Sequence, residues 1–327
     1  MNPKGDAGWA VDAEPSAVPQ NSRWRGMAAV FSIILVSVLA GIVFVKTHRQ
    51  DLLANEVRFE IPIPNAMFGS FSISPDGRYI VYTSATIGKD ALWVREINSL
   101  NPRLLPGTEG ARFPAWSGNA DTIVFAAGRD VQMIDVTARN RKTIGSLVGD
   151  EYRGSTSNGD GVTIFANTLL RRVDASGGLV QTITQLDKSL GETFHATPSF
   201  LPDGRHFLYQ AWSTNPGNRA IYVGSLDLTM KHRLLSSESQ AVYVPPGFLL
   251  YQNGAVLMAR PFDADRLEFT GEPLPVADDI ASVEDGASAF YASSAGSLIY
   301  QKAGRTDPAL ARLMVVLNWT SKTERRP

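Results

Sequence analysis

Two short stretches carry the side chains that invite a chemical reading. Asp76 stands in "SPDGR" (74–78) and Asp203 in "LPDGR" (201–205), each flanked by Pro and Gly and followed by Arg. A carboxylate beside a guanidinium suits acid–base work, but Pro-Asp-Gly is first of all a turn. Pro presets φ, Asp bonds its own backbone, and Gly supplies a positive φ, so the triplet closes a hairpin tightly. Turn formation is therefore the reading adopted for Pro75, Asp76 and Gly77 and for Pro202, Asp203 and Gly204. Glu192-x-x-His195 is the second candidate. As a metal pair it needs further ligands, and none stands nearby in sequence, so a capped loop is preferred.

Other chemistry is excluded by composition. The chain has no Cys, which removes disulfides, thiolate catalysis, Cys-ligated zinc and N-terminal lipoprotein acylation. Its four His are scattered. No Gly-x-Ser-x-Gly elbow, Gly-rich phosphate loop, His-Arg-Asp loop or Asp-Phe-Gly occurs. Lys and Arg total 31 against 32 Asp and Glu, so no sequence-independent pull towards nucleic acid is expected. Trp93, Trp116 and Trp212 fall in or beside strand-like runs and read as core residues, not ligand stackers. Arg171-Arg172 and the basic residues 322–326 read as solvated ends. No catalytic residue, cofactor or metal is expected.

The elements around these residues repeat. Gly77 and Gly204 are 127 residues apart, and between and beyond them lie "WSGNADTIVFAAG" with Ala120, "SNGDGVTIFAN" with Gly161, "VPPGFLLYQNG" with Gly247 and "SSAGSLIYQKAG" with Gly296. The steps are 43, 41, 43, 43 and 49 residues. Each turn precedes an apolar strand: Tyr79–Thr83, Thr122–Ala126, Val162–Ala166, His206–Gln210, Phe248–Gln252 and Ser297–Gln301. A strand apolar on both faces belongs between two layers. Second strands follow at 92–97, 131–136, 169–174, 221–227, 256–263 and 312–318. Five units continue into a further piece, and a short segment such as Gly69–Ile73, Ala111–Trp116 or Ala196–Phe200 precedes the turn. Four short strands per unit of about 43 residues is the content of a propeller blade. The sixth unit lacks its outer strand, and "VRFEIPI" (57–63) is unassigned. The spacing predicts that this segment completes the last blade, giving six blades and no exposed edge strand.

The N-terminal region is of another kind. Residues 1–26 read as a disordered cytoplasmic tail, rich in Pro and Gly in their first 22 positions. Met27–Val45 is uncharged, and at about 1.5 Å per residue it reaches roughly 28 Å, close to a bilayer's apolar core. A transmembrane helix over 27–46 follows, with Trp24 as an interfacial aromatic, then a linker (47–56), the propeller (57–320) and a tail (321–327). A cleaved signal peptide is the alternative, because Val38-Leu39-Ala40 fits a cleavage pattern. Basic residues balance on the two flanks, so charge leaves the orientation open.

The stretches "FSISPDGRYIVYTS", "RLLPGTEGARFPAWS" and "GETFHATPSFLPDGRHFLYQAWSTNPGNRAIYVGSLD", with the run to "GEPLPVADDI", resemble the TolB-like, WD-like β-propeller. The resemblance covers about residues 57–300. It is nearest to the propellers that lie C-terminal to the membrane span in bacterial transmembrane serine/threonine kinases. It implies an N-in, C-out topology in the inner (cytoplasmic) membrane, with the propeller outside the cytoplasm. No kinase is expected ahead of the span, since residues 1–26 are too few to hold one and no kinase motif occurs in these residues. The expectation is a non-enzymatic, membrane-anchored sensor or protein-interaction scaffold whose protein partner the sequence does not name. An accessory signalling subunit, or a relic of such a kinase, is the alternative, and a cryptic propeller enzyme is a third reading.

Overall fold

A computed structural model describes residues 55–322, apart from 86–87, 150, 283–288, 305–306, 308 and 310. The expected tail and span over 1–46 lie outside the described residues, among which no helix is long and apolar enough to cross a membrane.

The fold is all-β, with six antiparallel sheets in chain order. Blade 1 comprises Ala66–Ile73, Tyr79–Ser84, Ala91–Glu96 and Arg103–Leu104. Blade 2 comprises Ala111–Trp116, Thr122–Ala127, Asp130–Asp135 and Arg141–Ser146. Blade 3 has Ser155–Ser157, Val162–Ala166, Leu170–Asp174 and Gln181–Thr182. Blade 4 has Glu192–Phe200, His206–Ser213, Ala220–Ser225 and Lys231–Ser236. Blade 5 has Ala241–Val244, Phe248–Asn253 and the long Val256–Asp263, along which two short pieces pair, Glu268–Phe269 and Leu274–Ala277. Blade 6 has Phe290–Ala292, Ser297–Tyr300 and Arg312–Leu317, and Val57–Pro62 is its outermost strand. The N-terminal strand thus closes the ring as its alternating pattern predicts, with Ile61 opposite Leu313.

One expectation is corrected. Closure fills the gap between first and last blades, but it does not abolish edges. Each outermost strand has a single ladder neighbour, and so does each innermost one. A propeller repeats radially, so one edge of every blade lies along the perimeter and the other faces the channel.

Packing follows from the second strands, which are buried nearly throughout, as in Tyr79–Ser84 and Val162–Ala166. Instead of one core there are six apolar clusters, each shared by two neighbouring blades. Ile164, Ala166 and Leu170 of blade 3, for example, meet Phe207, Tyr209 and Tyr222 of blade 4. Ile61 and Leu313 of blade 6 meet Phe71 and Ile80 of blade 1 in the cluster that seals the ring. Burying a large aliphatic or aromatic side chain contributes about 1.5–3 kcal/mol, so each interface depends on both blades that build it.

Candidate functional site

All six hairpins between first and second strands use the same turn bond. The amide of Gly77, Ala120, Gly161, Gly204, Gly247 or Gly296 donates to the carbonyl three residues earlier: Ser74, Ser117, Asn158, Leu201, Val244 or Ser293. Every one of the six turn residues has positive φ, including Ala120 at 60°. Asp76 Oδ1 accepts from the Arg78 amide at 3.0 Å and from the Ser74 hydroxyl at 2.5 Å. Asp203 Oδ1 accepts from the amides of Arg205 and His206, at 3.0 and 2.9 Å. Both carboxylates are engaged in shaping their own turns. Pro75 and Pro202 precede them at the turn's second position.

These turns also clasp neighbouring blades. Asn158 Nδ2 of blade 3 donates to the Gly204 carbonyl of blade 4 at 2.8 Å, and the Ala295 amide of blade 6 donates to the Pro75 carbonyl of blade 1 at 3.2 Å. A Cβ at Gly77 would stand 2.9 Å from Ser297 Oγ, which would have to rotate aside, and the positive φ of 71° favours glycine there in any case.

Inside the ring of turns, the first strands of all six blades converge on a cavity of about 240 Å3. Its wall is hydroxyl-rich and aromatic, with Trp116, Phe200, Tyr243 and Tyr291 among its rings, and it contains no Asp, Glu, His, Lys or Arg. Burial pushes the Tyr291 phenol up to about 12, so it remains a neutral donor. Trp116 is 7% exposed and gives Nε1 to the Ser72 carbonyl at 3.4 Å, so it is both blade core and channel wall.

A backbone device that the turn motif does not signal shapes this wall. Gly69, Phe113, Gly154 and Thr197 all have positive φ, and each sits seven or eight residues before its turn residue. In blades 1, 2 and 4 the ladder register shifts at this point, as a bulge requires. Bulges here tie adjacent first strands together: the Phe113 amide donates to Ser70 Oγ at 2.7 Å, and the Thr197 amide to the Arg153 carbonyl at 2.8 Å. The only sequence signal is the pair Phe113-Pro114 and Thr197-Pro198 at matching places in blades 2 and 4.

Glu192 and His195 do come together, away from the channel. Glu192 accepts from the Asp187 amide at 2.6 Å, from Lys231 Nζ at 3.2 Å and from His195 Nε2 at 3.1 Å. Thr184 Oγ1, which already accepts the Leu170 amide, lies 2.9 Å from His195 Nδ1. These contacts are all satisfied when Thr184 donates to Nδ1 and Nε2–H donates to the carboxylate. Burial pushes Glu192 up, but the bonds from His195 and the Asp187 amide and the charge of Lys231 outweigh it, and its pKa lies below the ordinary range. Glu192 thereby fastens the loop from blade 3 to blade 4. No group of three metal-binding side chains occurs among the described residues. Trp212 has two ring contacts: Phe194 stacks on it at 5.7 Å and 9°, and the Arg219 guanidinium lies 3.9 Å from its ring centroid. The Arg153 guanidinium lies 3.6 Å from the Phe194 ring centroid, so two cations and two rings gather at the end of blade 4 remote from its Pro-Asp-Gly turn.

Neither a family model nor a curated relative matches the sequence. Among solved structures, the chain is similar to TolB from Acinetobacter baumannii, at 16% identity and a TM-score of 0.52 over 66% of this chain and 55% of that one. It is similar also to a chain of a nidogen/laminin complex, at 10% identity and a TM-score of 0.50 over 65% of this chain and 81% of the other. An oligogalacturonate lyase from Vibrio parahaemolyticus aligns at 10% identity and a TM-score of 0.49, over 80% of this chain and 96% of that one. The chain therefore spans about half the length of the TolB it matches. At these identities the likeness is one of fold, and the fold is a TolB-like six-bladed propeller.

Proposed function

We propose that this chain is a non-enzymatic binding propeller, anchored in the inner (cytoplasmic) membrane by residues 27–46, with its blades outside the cytoplasm as a sensor or interaction scaffold. One observation carries the binding reading: six first strands from six blades converge on a single cavity without a charged group in its wall. Such a wall offers hydrogen bonds and apolar faces, the two components of recognition. It offers no group that exchanges a proton near neutral pH, and general acid–base catalysis needs one. The span, the interfacial Trp24 and the resemblance to kinase-linked propellers support the anchor and its orientation.

Two experiments test this reading. Protease added to intact spheroplasts should digest residues 51–327, and protection of that region would overturn the orientation. Crosslinking of the full-length chain in its own membranes should capture a partner that is lost when the channel mouth is altered by Tyr291→Phe with Thr197→Val. A partner captured equally by both forms would move the binding surface elsewhere. The resemblance to kinase-linked propellers favours one second reading, an accessory subunit for a kinase encoded separately. Capture of a serine/threonine kinase in the same crosslinking would select it.

A further inference from the structure

We propose that the channel mouth binds a neutral saccharide, one sugar ring entering the cavity and the rest of the chain lying across the ring of turns. This rests on the reading of the mouth as the binding surface and names the chemistry that it takes.

Charged residues make up 19% of the chain, yet none lines this cavity. A phosphate, carboxylate or ammonium group entering it would lose its hydration without meeting a countercharge, which is costly. The ligand is therefore uncharged where it enters. Eight of the lining residues are Ser or Thr, and Tyr243 and Tyr291 add phenols. Thr197 lines the cavity and its hydroxyl has no protein partner, so a rotation of the side chain towards the cavity would give that hydroxyl one from a ligand. Hydroxyls that can donate and accept match a ligand that is itself made of hydroxyls. The rings supply what a pyranose also needs, an apolar surface for its axial C–H groups.

Size agrees. About 240 Å3 is the liquid volume of roughly eight waters at ~30 Å3 each, which accommodates a single sugar ring and excludes a folded protein element. The Tyr291 phenol, T-shaped against Phe71 at 5.4 Å, is held in place by a ring that does not itself compete for its hydroxyl.

The test uses the full-length chain in detergent and saturation-transfer NMR with chitotetraose, cellotetraose, maltotetraose and, as an acidic counterpart, tetragalacturonate. At least one neutral tetrasaccharide should bind with Kd on the order of 1 mM or tighter. Tyr291→Phe with Thr197→Val, which nearly preserves shape, should weaken it about tenfold, and Lys188→Ala, in the cleft beside blades 3 and 4, should not. The proposal falls if none of the neutral sugars binds, if tetragalacturonate binds as tightly, or if the double variant leaves affinity unchanged. Loss of a crosslinked partner in the double variant, with no saccharide bound by the parent, would retain the mouth as a binding surface and discard the sugar.

Discussion

His195 Nε2 lies 3.1 Å from a carboxylate oxygen of Glu192, and neither side chain is reached by solvent. The pair sits three residues apart on one strand, where an even alternation would send the two side chains to opposite faces. A register shift between Glu192 and Phe194 changes the alternation and brings both to the side of blade 4 that faces blade 3. The carboxylate then ties the 187–192 loop to the outermost strand of blade 4 through Lys231.

Glu192→Gln should therefore destabilise the propeller without changing its shape. The variant leaves Lys231 without its counter-ion and places an amide N–H₂ beside donors. Lys231 is 38% exposed and recovers part of the loss by turning to water. The expected cost is about 2–3 kcal/mol, below the range for breaking a fully buried pair. Urea unfolding followed by tryptophan fluorescence measures it, and an unchanged midpoint would remove Glu192 from its structural role.

Acid should weaken the fold for the same reason. Glu192 titrates below its ordinary value, and so does Asp203, where amide and side-chain bonds from His206 overcome the upward push of burial. Asp135, held first by the Thr137 hydroxyl, is brought down to about 2. A carboxylate with a depressed folded pKa contributes stability that is present above its unfolded pKa, about 4.3 for Glu and 3.9 for Asp. That contribution is lost as pH falls through the folded value. The thermal midpoint should hold above about pH 5 and drop steadily towards pH 2, and Glu192→Gln should show a shallower drop. A flat profile would contradict the assignment.

Ala120 occupies the place that glycine holds in the other five hairpins, at φ 60°. A Cβ in this region costs about 1–2 kcal/mol, and glycine's extra freedom in the unfolded chain takes back about 0.4–1. Ala120→Gly should raise stability by roughly 0.5–1 kcal/mol. Gly77→Ala should lower it by more, because the new methyl also meets Ser297. Paired denaturation curves of the two variants decide the sign of each.

The contrast between these positions explains how far the sequence can be read. The turns are local: Pro-Asp-Gly fixes its own φ angles and bonds its own amides, so the six hairpins, their period and the closing role of Val57–Pro62 are legible. The strands that follow are legible because burial on both faces leaves an unbroken apolar run. The channel wall is not. Tyr243, Tyr291 and Thr197 become neighbours only when six blades close, and their period is masked because each blade contributes a different side chain. Trp212 reads as core but is only half-buried, and its Arg219 and Phe194 neighbours depend on the crossing of two strands. Glu192 and His195 stand out by spacing, yet the bulge that unites them leaves no mark in composition.

Ring closure can be tested at one residue. Ile61 is 1% exposed and pairs with Leu313, although the two are separated by nearly the whole propeller. Ile61→Ala should cost about 2–4 kcal/mol, as for a truncation in a continuous core. Hydrogen exchange should show protection lost first along Arg312–Leu317, with blade 3 least affected. Uniform loss across all six blades would mean that the closing strand is not a separable latch.

Gln210 gives the opposite case, a buried polar group that works against stability. Its side chain is 0% exposed on the second strand of blade 4, and neither its Nε2 nor its Oε1 has a protein partner. The corresponding residue of blade 1, Thr83, accepts a bond from Ser70 at 2.8 Å, so this position can be satisfied when the neighbouring strand supplies a hydroxyl. An unsatisfied buried amide costs about 1–3 kcal/mol, and an apolar group of similar length removes that cost. Gln210→Met, which keeps the length and adapts to its surroundings, should raise stability by about 1 kcal/mol. Gln210→Ala should lower it, because the cavity left behind outweighs the polar relief. If Met instead lowers the urea midpoint by as much as Ala does, the amide is satisfied by an ordered water, and Gln210 belongs to the polar framework that holds blades 4 and 5 together.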